Sequence, residues 1–181
     1  MNKIRILVLG PKEYPFGISA KKGELPGGGA DRLFFNLSSS LVNSNIEFHL
    51  VVQSFSKLDE EERINDNLVV YRVPWIRGKY RTVSQFLFAF FKSFSIKYDM
   101  IFTILEPPLI FGFFLSKLRM KKLVTMFGGL SGKKHGLKTY QKEISILRKI
   151  NYFISPKSDL CIFASDRERE DFEKENTGDE R

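Results

Sequence analysis

Short apolar runs separated by longer segments of helical period constrain this chain more than any other feature of it. The runs are Ile4 to Leu9, Glu47 to Val52, Leu68 to Val73, Met100 to Leu105, Leu123 to Met126 and Asp159 to Ala164. Each has the length of a strand. Between them Leu33, Phe34, Leu37 and Leu41 repeat at helical spacing, as do Val83, Leu87, Phe90, Phe91 and Phe94, and later Ile144, Leu147 and Ile150. Strands alternating with helices predict an α/β fold, a Rossmann-like parallel sheet with helices on both faces.

A chain of 181 residues fits one domain and can bury a core without disulfides or metals. Its 43% hydrophobic and 28% charged residues exclude a disordered tail. The lone Cys161 lies in an apolar run, can form no internal disulfide and offers no metal-ligand spacing, which points to a core residue in a reducing compartment. Ile6 to Leu9 is too short for a signal-peptide core, and no stretch reaches the ~18 apolar residues of a membrane span. The polar segment Lys57 to Asn67 reads as a surface excursion between two strands. Asp166 to Glu175 reads as a helix capped by Asp166 and broken at Asn176-Thr177-Gly178.

The net charge of +8 is uneven, because Asp166 to Arg181 holds eight acidic and four basic residues, leaving +12 for the rest. Such a body favours anionic partners: nucleic acid, a phosphorylated ligand or an anionic membrane. Nucleic acid ranks low, since the aromatics sit in apolar stripes and do not interleave with Lys and Arg as stacking platforms do.

After the first strand comes a long loop, then Pro26-Gly27-Gly28-Gly29-Ala30-Asp31, then a helix. Helix N-termini at the carboxyl edge of a parallel sheet present free N–H groups to anions, and glycines let a phosphate approach the backbone. The spacing is neither G-x-G-x-x-G nor G-x-x-x-x-G-K-[ST], so the standard dinucleotide and P-loop fingerprints are absent. On these residues alone the turn is equally a flexible lead into a helix, with Asp31 favouring the helix dipole.

Read in order, Gly27-Gly28-Gly29-Ala30-Asp31-Arg32, Tyr98-Asp99-Met100-Ile101-Phe102, Leu123 to Leu130 and Ser158-Asp159-Leu160-Cys161-Ile162-Phe163-Ala164-Ser165 resemble the N-terminal domain of family 4 retaining glycosyltransferases. The matching family patterns are a G-G-A-E turn, a Y-D strand, a V-T-x-H-G strand end and an A-D strand ending in A-S. The resemblance implies half of a GT-B architecture, in which one Rossmann-like domain holds the acceptor and a second holds the sugar nucleotide. It places the domain at 1–175, with 176–181 starting a linker to a donor domain, and the family's donor-side E-x7-E pattern does not occur here. The isolated chain is therefore expected to be inactive.

By the resemblance, Gly27, Gly28, Gly29 and Asp31 bind the donor diphosphate, the backbone N–H groups of Gly28 and Gly29 stabilising the leaving group. A nucleotide-sugar donor is the implied substrate, with no further cofactor and no metal. Two departures stand out. Phe127 occupies the position where the family usually has His, and Phe can neither donate nor accept a proton. Asp31 replaces the commoner Glu.

Candidate catalytic residues are His135, in the Gly- and Lys-rich segment after the fifth apolar run, and Glu106, which precedes Pro107-Pro108. Each has a plainer reading, His135 as a solvated histidine and Glu106 as a helix-start acid. Phe127, Gly128, Lys133 and Lys134 are candidates for the acceptor side, with Lys12, Glu13 and Tyr14 as weaker ones. His49 reads as structural. Phe88 and Phe113 are expected at a surface that docks on a membrane carrying a lipid-linked acceptor, with core packing as the alternative. The expected partners are thus a C-terminal donor domain or a separate catalytic chain and a glycan or lipid-linked acceptor. The expected location is the cytoplasm, at the inner face of a membrane. The rival reading is a stand-alone recruiting subunit that presents an acceptor or a membrane to another chain.

Overall fold

All six apolar runs become strands of a single sheet in the computed structural model, which describes residues 3–15, 29–41, 44–55, 60–76, 81–104, 106–127, 153–163, 165–166, 169–170 and 172–173. The elements are β1 (Ile4–Leu9), α1 (Gly29–Ser40), β2 (Ile46–Gln53), β3 (Glu61–Asn65), β4 (Leu68–Val73), α2 (Arg81–Ser93), β5 (Met100–Ile104), α3 (Glu106–Arg119), β6 (Lys122–Phe127) and β7 (Leu160–Phe163), with one 3-10 turn at Ser155–Lys157. The helix expected around Ile144 to Ile150 lies outside the described residues.

The sheet order is β3-β4-β2-β1-β5-β6-β7. Every pairing is parallel except β3 with β4. β3 corrects the reading of Lys57 to Asn67 as a mere excursion. Its sequence, Glu-Glu-Arg-Ile-Asn, carries almost no apolar signal because an edge strand contributes backbone hydrogen bonds and keeps charged side chains in water. The buried Arg72 guanidinium of β4 reaches the Glu62 carboxylate of β3 at 2.5 Å, tying the pair together.

Alternate residues of the strands face opposite layers. One face, with Leu7, Leu9, Val51, Ile101, Leu123 and Phe127, is closed by Ala89 of α2 and Leu109 and Leu115 of α3. The other, with Val8, Phe48, Leu50, Val52 and Val70, is closed by Phe34 of α1. Helices fall on opposite faces because the chain moves outward from β1 to β2 and β4, then returns across the sheet to β5 and continues to β6. Crossovers of one hand running in opposite directions cover opposite faces. The order therefore reverses between β1 and β5, the topological switch point of the sheet.

Gly112 sets the depth of α3. A Cβ there would stand 2.4 Å from Thr103 Cγ2, so only glycine lets the helix lie this close to β5. Beneath it Thr103 and Thr125 share a hydroxyl bond of 3.2 Å, extended to Ser158 at 3.1 Å. The described residues from Asp166 to Glu173 are helical, and the Ser165 carbonyl accepts from Arg169 N at 3.2 Å. Ser165 therefore holds the capping position assigned above to Asp166.

Candidate functional site

The carboxyl edge of the sheet gathers the ends of β1, β2, β4 and β5 and the first turns of α1, α2 and α3. At the switch point β1 is followed by Gly10, whose φ is +143°. A Cβ on it would meet the Ile104 carbonyl oxygen at 2.5 Å. The two strand ends thus touch backbone to backbone, and a side chain would wedge them apart.

The loop leaving Gly10 is held from three sides. Asp31, in the first turn of α1, is buried, and its Oδ1 accepts the backbone N–H of Lys12 at 2.5 Å and of Glu13 at 2.8 Å. Gln53, ending β2, donates its N–H to Lys12 O at 2.9 Å. Gln53 Nε2 donates to Gln85 Oε1 at 2.7 Å, and Gln85 Nε2 donates to Pro11 O at 3.3 Å. Both amide nitrogens and the Gln85 oxygen are bonded in this network, which ties the loop to β2 and α2. The next loops are braced too: Trp75 Nε1 donates to Ser54 O at 2.9 Å, and Ile76 N to Ser84 Oγ at 2.9 Å.

Of the sequence candidates, Gly29 opens α1, Asp31 sits in its first turn and Glu106 opens α3, two residues past β5, so these three share the carboxyl edge. Asp31 turns its carboxylate inward to the loop. Gly27, Gly28, Gly128, Lys133, Lys134 and His135 lie outside the described residues. Phe127 is a correction. Its ring is 3% exposed, stacks on Phe163 at 5.2 Å and tilts against Phe172 at 5.3 Å. That side chain fills the core beneath β6 and β7 and presents no surface to an acceptor. Glu13 is buried, and Tyr14 packs on Phe35 at 5.8 Å.

Two of the motifs that carried the resemblance work at the opposite, amino edge. Asp99 precedes β5 and accepts Arg5 N at 2.9 Å, while its own N–H donates to Arg5 O at 2.8 Å. Asp159 precedes β7 and exchanges the same pair of bonds with Leu123, each at 2.9 Å. Each Asp latches the start of its strand to the neighbour. The backbone N–H of Arg5, then its guanidinium, holds the Asp99 carboxyl below the usual range, and the N–H of Leu123 does the same for Asp159.

His49 is buried beside Tyr71, with Nδ1 3.2 Å from the phenol oxygen, and burial pushes its pKa down, opposed by the nearby Glu47. Burial likewise pushes the Cys161 thiol up, keeping it protonated and unreactive. Among the described residues no group of three or more His, Cys, Asp and Glu side chains could hold a metal ion. Gly10, Gln53 and Gln85 are the site residues that sequence reasoning missed. Only the polar Gln53 closing an apolar run gave a signal.

The model of Glycosyltransferase Family 4 matches residues 27–180. Comparison with curated protein sequences gives no match. Among solved structures, a sucrose-phosphate synthase from Thermosynechococcus elongatus is similar at a TM-score of 0.56 and 10% identity, covering 92% of this chain and 78% of that one. At this identity the likeness concerns the fold. No helix among the described residues is long and apolar enough to cross a membrane.

Proposed function

The chain belongs to Glycosyltransferase Family 4, and from that premise we propose that it is the acceptor-side half of an enzyme moving a sugar from a nucleotide-sugar donor to a glycan or lipid-linked acceptor. The observation that carries this reading is the clasp of Asp31 on the N–H groups of Lys12 and Glu13. It fixes the start of α1 against the loop from β1, at the switch point where open parallel sheets bind ligands.

In this reading the first-turn N–H groups of α1, beginning at Gly29 and continued by Gly27 and Gly28 before it, face the diphosphate of the donor. They stabilise the negative charge that grows as the sugar leaves, and the clasp holds the start of α1, from which they are presented, against the loop from β1. Asp31 is a positioning residue. Its carboxylate turns inward and accepts the N–H groups of Lys12 and Glu13, so it acts on the shape of the turn and not on the diphosphate itself. Glu106, which opens α3 at the same edge, is assigned the orienting of an acceptor hydroxyl, and His135 a proton role that Phe127 cannot supply. Gly128, Lys133 and Lys134 hold the acceptor, the lysines through a phosphate where it has one.

The test is turnover of labelled UDP- and GDP-sugars by the 181-residue chain, alone and joined to a donor-side domain or partner chain. Turnover that requires both halves and falls with Glu106→Gln supports the reading. Full turnover by the chain alone, or none by the pair with any donor, overturns it.

A further inference from the structure

We propose that the outer face of α2 and α3 docks on an anionic lipid bilayer, with Met120 as its inserted tip. Five apolar side chains stand in solvent there: Phe91 at 62% exposure, Phe94, Phe114, Leu118 at 64% and Met120 at 92%. Phe88 is exposed as the sequence suggested, but Phe113 is half-buried against the core, and Phe114 takes the outer position. Residues four apart share a helix face, so Val83, Leu87 and Phe91 continue the stripe up α2, and Phe114 and Leu118 form its counterpart on α3. The Arg119 guanidinium lies 5.9 Å from the Phe94 ring and 5.6 Å from that of Tyr98, joining the two helix ends into one surface.

Met120 is the telling residue. Lys121 N donates to Ser116 O at 2.9 Å, the 6→1 bond of a Schellman cap, and Met120 occupies the left-handed position of that cap at φ +50°. Glycine is favoured there, and a large apolar side chain gains nothing from the fold while projecting fully into water. A bilayer would bury it.

Charge selects the bilayer over other occupants. From the start of α2 to the start of β6, Arg81 to Lys122, the chain has seven basic residues and two acidic ones, Asp99 and Glu106. Asp99 is paired with Arg5 at the amino edge, and Glu106 opens α3 at the carboxyl edge. Lys117, Arg119 and Lys121 flank Leu118 and Met120 at the end of α3, with Arg119 against Phe94, and Lys92 follows Phe91 on α2, the pattern of an interfacial surface for anionic lipid. Lys117, Lys121 and Lys122 line a shallow groove beside Met120, with Ser116 and Asp159 as its other walls. A second copy would bring these basic residues against their own counterparts, so like charges disfavour self-association. The inference stands independently of the sugar-transfer reading.

The experiment is co-sedimentation of the chain with neutral phosphatidylcholine vesicles and with vesicles carrying about 30 mol% phosphatidylglycerol. Binding is expected only to the anionic vesicles, weakening as salt rises. Met120→Gly is expected to lower vesicle affinity by roughly tenfold while melting no lower than the parent, because it relieves the cap. Lys121→Glu should also weaken binding, by at least several-fold. Absence of binding to anionic vesicles, unchanged affinity in Met120→Gly, or a dimer in solution that Phe91→Ser dissolves would each overturn the proposal.

Discussion

Gly10 and Ile104 meet at the point where the strand order reverses, so closely that a methyl on Gly10 would stand 2.5 Å from the Ile104 carbonyl oxygen. That oxygen belongs to the backbone and cannot swing aside. With a φ of +143° the position is also one that L side chains rarely adopt. Gly10→Ala is expected to cost about 3 kcal/mol or more, combining strain and overpacking, read as a lower urea midpoint with an unchanged slope.

Gly112 presents the same constraint against a side chain, which makes it reversible. Gly112→Ala should cost about 1–3 kcal/mol through contact with Thr103 Cγ2. Thr103→Ser removes that methyl, and the double variant should recover part of the loss in a thermodynamic cycle. Strictly additive losses would show that α3 does not rest on Thr103.

Asp31 accepts two backbone donors with one oxygen. Asp31→Ala leaves both unsatisfied in a buried setting and should cost about 2–4 kcal/mol, whereas Asp31→Asn keeps one acceptor and should cost about half as much. Chemical denaturation of the two variants measures the gap.

Acid should act in two separate windows. The lowered pKa of His49 means that the unfolded chain takes up a proton more readily than the folded one, so stability declines as pH falls below the ordinary histidine value of 6.5. Asp99 and Asp159 are also lowered, from 3.8, and their contribution is present above that value and lost as pH falls through their folded pKa values. Both carboxylates are more than a third exposed, so solvent screens each contribution to a small one. Melting curves from pH 8 to 3 should show a first decline that His49→Gln removes and a second that Asp99→Asn with Asp159→Asn flattens.

The central strands were legible because each is buried on both faces and reads as a continuous apolar run. β3 was not, because nothing in Glu61 to Asn65 is buried enough to need an apolar side chain. The helix after the glycines was also plain. The inward use of Asp31 was hidden by the 19-residue gap to Lys12, and the pairing of Gln53 with Gln85 by a gap of 32. Phe127 shows the same blindness from the other side. A comparison of motifs registers only that no proton-transfer group stands there, whereas the folded chain gives the ring Phe163 and Phe172 as neighbours.

The central claim is that a nucleoside diphosphate meets this domain at the β1/β5 edge, and amide NMR of the labelled chain titrated with UDP tests it most directly. Weak, fast-exchange binding up to about 10 mM is expected of one cleft wall. The account predicts shifts at Gly10, Lys12, Glu13, Gly29 and Asp31, with the amides of Arg5, Asp99 and Leu123 at the amino edge unmoved. Shifts confined to the amino edge, or none anywhere at that concentration, would contradict it.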